Sequence, residues 1–274
     1  MTGRALLIAD CGIGVGLGHL ERALALADAL RPGFDASIVL PEGDASLRLR
    51  VAARGHVPVE AAGSTVDRAE ASVGGASSMD MVVLDRCVFE PDLQRTFRDC
   101  APLTVVDDLC LPTDCDLVVN PSPGGEDMRP SGADAFLGGA AYALMRASFR
   151  EARESVLRRG SAARTVLVST GATDLDGMGE QLTAQLIRAD GTVEVICVVG
   201  PDASTTGPDD GGRDRVLVAP GSLAEALAPV CLELLEGDAR RRRMAACGRS
   251  LVDGGGAVRV ADAIVALTRT RVAR

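Results

Sequence analysis

The sequence predicts an α/β fold of two domains, each a parallel sheet covered by helices. Three observations carry that expectation. A length of 274 residues is more than one hydrophobic core ordinarily serves. Short apolar runs alternate with helical patterns, the signature of parallel strands joined by helices. The alternation breaks at Arg158-Arg159-Gly160-Ser161 and then restarts, which puts the boundary between domains 1–158 and 161–274.

Ala5 to Ala9 reads as the first strand. His19 to Leu30 reads as a helix, because Leu20, Leu24, Ala27 and Leu30 recur on one face. Ser37 to Leu40, Met81 to Leu84, Leu103 to Val106 and Leu117 to Val119 read as further strands. Helices are expected at 45–54, 90–99 and 148–158, and the small, polar stretch Gly63 to Ser78 as a loop or frayed helix. In the second half, strands are expected at Thr165 to Ser169, Val193 to Val199 and Arg215 to Val218, with a Gly/Asp/Pro-rich loop over 200–214. Only helical patterns follow, at 222–228, 230–247 and 256–268, with Pro229 separating the first two. A nucleotide-binding α/β half carries five or six strands, so the second domain reads as short by about 60 residues.

Composition narrows the chemistry. There is no lysine, so all 29 basic side chains are arginine. That excludes a Walker A loop and a pyridoxal-phosphate Schiff base. A net charge of −9 with 2% aromatics argues against nucleic-acid binding, which calls for a basic stripe or stacking side chains. No apolar run reaches the length of a membrane span, and a soluble, cytoplasmic protein is expected. The eight cysteines form no CxxC pair, and most of them read as small buried hydrophobes. No cofactor and no metal site are expected.

The richest segment is Cys11-Gly12-Ile13-Gly14-Val15-Gly16-Leu17-Gly18-His19-Leu20-Glu21-Arg22, placed between the first strand and the first helix. Its glycines permit a tight turn and close approach of a ligand to the backbone, and the helix start offers N–H groups to a phosphate or sugar oxygen. No register of it fits G-x-G-x-x-G, which argues against a dinucleotide. His19 takes the place of the last glycine. The helix dipole there should lower its pKa and leave a neutral general base. Arg22, one turn on, is a candidate for holding an anionic group, with a solvated side chain as the alternative. Asp85 and the pair Asp107-Asp108 end strands at the side of the sheet where such folds bind ligands. Gly171-Ala172-Thr173 occupies the equivalent place in the second domain and is a candidate diphosphate contact. His56 reads as part of a connector, and Arg240 to Arg243 as a solvated helix face.

In order along the chain, these residues and their neighbours resemble the spore-coat polysaccharide and pseudaminic-acid family of UDP-sugar hydrolases. The matching pieces are Gly16-Leu17-Gly18-His19-Leu20-Glu21-Arg22, Val82-Val83-Leu84-Asp85, Val105-Val106-Asp107-Asp108 and Cys115-Asp116-Leu117-Val118-Val119-Asn120-Pro121. Tyr142-Ala143-Leu144-Met145-Arg146, Val168-Ser169-Thr170-Gly171-Ala172-Thr173-Asp174 and Asp253-Gly254-Gly255-Gly256-Ala257 complete them. The resemblance implies two Rossmann-like domains of the glycosyltransferase B type and a nucleotide-sugar substrate. It implies that His19 deprotonates water, which displaces a nucleoside diphosphate from the anomeric carbon without a metal. Gly16, Gly18, Arg22, Asp85, Asp107, Asp108 and Tyr142 would then bind substrate, and Gly171, Ala172 and Thr173 the diphosphate. The family's Gly-Ser/Thr and Asn-Gln motifs are absent after 228, where the strand count also falls short. Two alternatives stand beside hydrolysis. One is a glycosyltransferase whose acceptor hydroxyl replaces water. The other is a weakly active, shortened homologue that binds a sugar or a protein, with a homodimer or partner covering the shortened domain.

Overall fold

The computed structural model describes residues 2–12, 15–85, 91–155, 163–170, 177–198 and 223–272. The first apolar run forms β1 (Gly3–Ala9), buried from Ala5 to Ala9. The chain then forms α1 (Gly18–Leu30), β2 (Phe34–Pro41), α2 (Ala45–Ala53) and β3 (Val57–Ala61). Next come α3 (Thr65–Ala76), β4 (Met81–Asp85), α4 (Pro91–Cys100), β5 (Leu103–Val106), β6 (Cys115–Asn120), β7 (Ala133–Gly138) and α5 (Ala147–Ser155).

Seven parallel strands lie in the order β3-β2-β1-β4-β5-β6-β7. The order reverses between β1 and β4, and sheets of this kind bind ligands at the C-terminal strand ends beside such a reversal. The central strands are apolar without alternation because both sheet faces are covered. On one face Leu7 and Ile38 pack with Leu20, Leu24 and Val51. On the other, Leu6, Ile8 and Leu84 pack with Ala69 and Phe97. Burying each such Leu or Phe contributes about 1.5–3 kcal/mol, and the helix bearing His19 is anchored by seven buried side chains.

Two expectations in this half are corrected. The stretch read as a loop or frayed helix is α3, started by a capping box in which Ser64 accepts from the Asp67 N–H and Asp67 accepts from the Ser64 N–H. Its glycines and serines concealed the buried face made by Arg68, Ala69 and Ala76. Strand β7 was not expected, because its edge position leaves Ala133 to Gly138 only partly buried and removes the apolar run that marks a central strand. Gly132, just before β7, has φ +89, and a Cβ there would lie 1.8 Å from the Thr113 carbonyl oxygen. Gly132→Ala should therefore cost about 2–4 kcal/mol, read as a lower urea midpoint.

The remaining elements are β8 (Thr165–Ser169), α6 (Met178–Ala189), β9 (Glu194–Val198), α7 (Leu223–Glu236), α8 (Asp238–Leu251) and α9 (Gly256–Val272). The chain divides into two compact units: Met1–Gly12, Leu17–Val156 and Ser250–Arg274 form one, and Ile13–Gly16 and Leu157–Arg249 the other. In the second unit β8 and β9 pair in parallel over a core of Val168, Leu182, Leu186 and Ala228. Among the described residues these are its only strands. The strand expected at Arg215 to Val218 lies outside them.

Pro229 does not separate two helices, as the sequence suggested, but sits inside α7. Proline removes one intrahelical hydrogen bond, and apolar packing by Leu227, Ala228, Cys231 and Leu232 carries the helix through. The break comes at Gly237, followed by Asp238 in the first turn of α8. The final helix, assigned from sequence to the second domain, belongs to the first unit. Val260, Ala261 and Ile264 of α9 are buried with Leu20, Leu24 and Leu30 of α1. Asp253 accepts from the Gly255 N–H at 2.8 Å and pairs with Arg259 at 2.6 Å, while Arg259 donates to the Ala141 carbonyl at 2.6 Å.

Cys11 and Cys115 are buried, whereas four others are half-buried and Cys247 is exposed, so the sequence expectation holds for only some of them. Burial pushes the Cys11 and Cys115 thiols up to about 11. No helix among the described residues is long and apolar enough to cross a membrane.

Candidate active site

Four of the residues singled out from sequence come together near the C-terminal ends of β1 and β4: His19, Arg22, Asp85 and Asp108. His19 stands in the first turn of α1 and Arg22 one turn later, so the two share a helix face. Asp85 is the last residue of β4, and Asp108 follows β5 by two positions. The backbone locks the two central strand ends together, since the Asp10 N–H donates to the Asp85 carbonyl at 2.9 Å.

Asp85 is the hub. Its side chain is 2% exposed, against 20% for His19. His19 Nδ1 lies 2.7 Å from Asp85 Oδ1. Arg22 donates from Nη2 to the same oxygen at 2.6 Å and from Nε to Oδ2 at 3.0 Å. Arg22 Nη1 donates to Asp108 Oδ2 at 2.5 Å, and the Ser122 hydroxyl donates to Asp108 Oδ1 at 3.4 Å. A carboxylate paired with a guanidinium only accepts, so Nδ1–H donates to Asp85. The 2.8 Å separation between His19 Nδ1 and Arg22 Nη2 then records two donors converging on one oxygen. This fixes the tautomer, and Nε2 carries the basic lone pair.

The sequence reading placed the His19 pKa below its ordinary value because of the helix dipole. The structure reverses the sign. The hydrogen bond from Nδ1–H to Asp85 raises it above 6.5; burial opposes this, the Asp85 charge adds to it and the Arg22 charge subtracts. A carboxylate in direct contact outweighs partial charges spread over a helix end. A base acting through Nε2 would be active only when neutral, so a rate that depends on it should rise as pH increases through a value above 6.5. Asp85→Asn should move that acidic limb to lower pH, and a pH–rate profile of both proteins checks it. The pairing stabilises the fold fully below 6.5, and that contribution is lost as pH rises through the folded-state pKa.

Arg22 was expected to hold an anionic substrate group, yet each of its three nitrogens donates to a protein carboxylate. Burial works against its charge, but Asp85 and Asp108 outweigh burial and hold the guanidinium above its ordinary value. Asp107 is buried and turns away from the cluster: its carboxylate accepts the N–H groups of Leu109 and Leu111 at 2.7 and 2.8 Å, which shapes the loop after β5. Tyr142 sits in a short 3-10 turn, half-buried against the core under α9. Gly16 has φ +87, a conformation suited to glycine. Gly18 begins α1 with open space where a Cβ would stand, and Leu17 before it supplies no side-chain cap. Gly171, Ala172 and Thr173 lie outside the described residues.

Sequence reasoning missed Asn120 and Ser122. Asn120 is fully buried at the end of β6, and its Oδ1 accepts the Ser122 N–H at 3.1 Å, seating the hydroxyl that reaches Asp108. The signal available was a lone asparagine ending an apolar strand. His56, read as a connector, is buried and bonded to Asp28 at 2.9 Å; it is structural. Among the described residues no group of three or more His, Cys, Asp or Glu is arranged to hold a metal.

No family model matches the chain, and no curated protein does. Among solved structures it is similar to the glycotransferase of kitacinnamycin, with a TM-score of 0.56 and 11% identity over 98% of this chain and 100% of that one. At that identity the likeness is one of fold alone, a Rossmann-like α/β architecture.

Proposed function

We propose that the protein transfers a sugar from a nucleotide-sugar donor to an acceptor hydroxyl, with His19 as general base. The observation that carries this reading is the bond from His19 Nδ1–H to buried Asp85, which turns Nε2 into an oriented base at the ligand-binding end of the sheet. Nε2 takes the acceptor proton as the acceptor oxygen attacks the anomeric carbon. The bond from that carbon to the diphosphate breaks, and Asp85 stabilises the imidazolium. Support also comes from fold, since the solved structure it resembles is a glycotransferase. Gly16 and Gly18 supply close backbone approach for the sugar, and Gly171, Ala172 and Thr173 are assigned to the diphosphate.

Water could replace the acceptor at the same base, giving the hydrolysis that the sequence resemblance implies. Product analysis separates the two. Incubation with UDP-N-acetylglucosamine and other nucleotide sugars, with and without hydroxyl acceptors, should give a glycoside and free diphosphate only when acceptor is present. Equal diphosphate and free sugar without acceptor would replace transfer by hydrolysis. No release from any donor would reject both.

A further inference from the structure

We propose that Arg22, tethered by Asp108, is a positioning residue that aims Asp85 at His19 and tunes the base, and does not bind substrate. The inference rests on the reading of His19 as base. Its grounds are geometric. Arg22 forks over Asp85 through Nε and Nη2 at 3.0 and 2.6 Å, which fixes the plane of the carboxylate. That plane puts Oδ1 at 2.7 Å from His19 Nδ1. The third nitrogen reaches Asp108 at 2.5 Å, so the fork is held from behind. Asp108 in turn receives the Ser122 hydroxyl.

The electrostatic consequence has two opposing parts. Among the described residues, the charged groups that act on His19 include Asp10 after β1, Arg22 on α1, Asp85 on β4 and, through Arg22, Asp108 after β5. Asp85 raises the basicity of the imidazole through its hydrogen bond and its charge. The Arg22 charge shares Asp85 and moderates that effect. Asp108 offsets part of the Arg22 charge and so sets how strongly it moderates. Removing Arg22 and removing the Asp108 charge must therefore shift His19 in opposite directions, which a merely structural role does not produce.

The test is an NMR titration of the His19 ring nitrogens, with His56→Gln used for assignment, since the chain has two histidines. Arg22→Gln, which keeps a neutral donor toward Asp85 and removes the charge, should shift the His19 pKa upward, and Asp108→Asn should shift it downward. The acidic limb of any pH–rate profile should move with each. Opposite shifts support the proposal; any other pattern, including two unchanged values, overturns it. If Arg22→Gln does not fold, Asp108→Asn decides alone: a downward shift supports the proposal, and none or an upward one overturns it. The titration needs no substrate. An Nε2 base refuted by turnover experiments would therefore be told apart from a failed positioning role.

Discussion

His19→Ala is expected to lower nucleoside diphosphate release from a nucleotide sugar by about 10²–10⁴-fold while leaving the fold intact. The magnitude is that of a positioned general base. The fold should survive because His19 is partly exposed in the first turn of α1, and the helix is held by the buried side chains of Leu20, Leu24 and Leu30. Donor affinity should change little, so the loss belongs in kcat. Chain-wide unfolding of the variant, or release at the wild-type rate, contradicts the assigned role.

Asp85→Ala should damage both activity and stability. It leaves Arg22 facing an empty site with only Asp108 as partner, and it removes the acceptor that fixes the His19 tautomer. Breaking a buried charge pair from one side costs about 3 kcal/mol or more. The exposure of Arg22 and its second carboxylate keep the figure at the low end. Urea unfolding followed at amides of β1 and β4 gives the stability loss. Activity should fall at least as far as in Asp85→Asn, which keeps the shape and a hydrogen-bond partner while losing the charge. A stable Asp85→Ala protein with an unchanged pH–rate profile would show that Asp85 does not orient the base.

The parallel sheet was legible because its central strands are unbroken apolar runs, and His19, Arg22, Asp85 and Asp108 were legible because each lies within a few residues of a strand end or a helix start. What could not be read follows from physics that sequence patterns do not carry. The pKa of His19 depends on a residue 66 positions away, whereas the helix dipole is local and was the only force in view. Arg22 was read as a candidate for holding an anionic group because its two carboxylate partners are brought to it only by the sheet order. The last helix repeats the apolar pattern of its neighbours, and nothing in that pattern says that Val260 and Ile264 pack on α1. Edge strand β7 carries too little burial to show a pattern.

The most direct test of the account is the response of the two histidine side chains to a nucleotide sugar. Ring-nitrogen spectra recorded while UDP-N-acetylglucosamine or another bound donor is added should show His19 resonances moving to saturation. His56, buried against Asp28, should stay in place. Saturable donor binding by calorimetry with His19 unmoved would place the donor elsewhere and contradict the central claim.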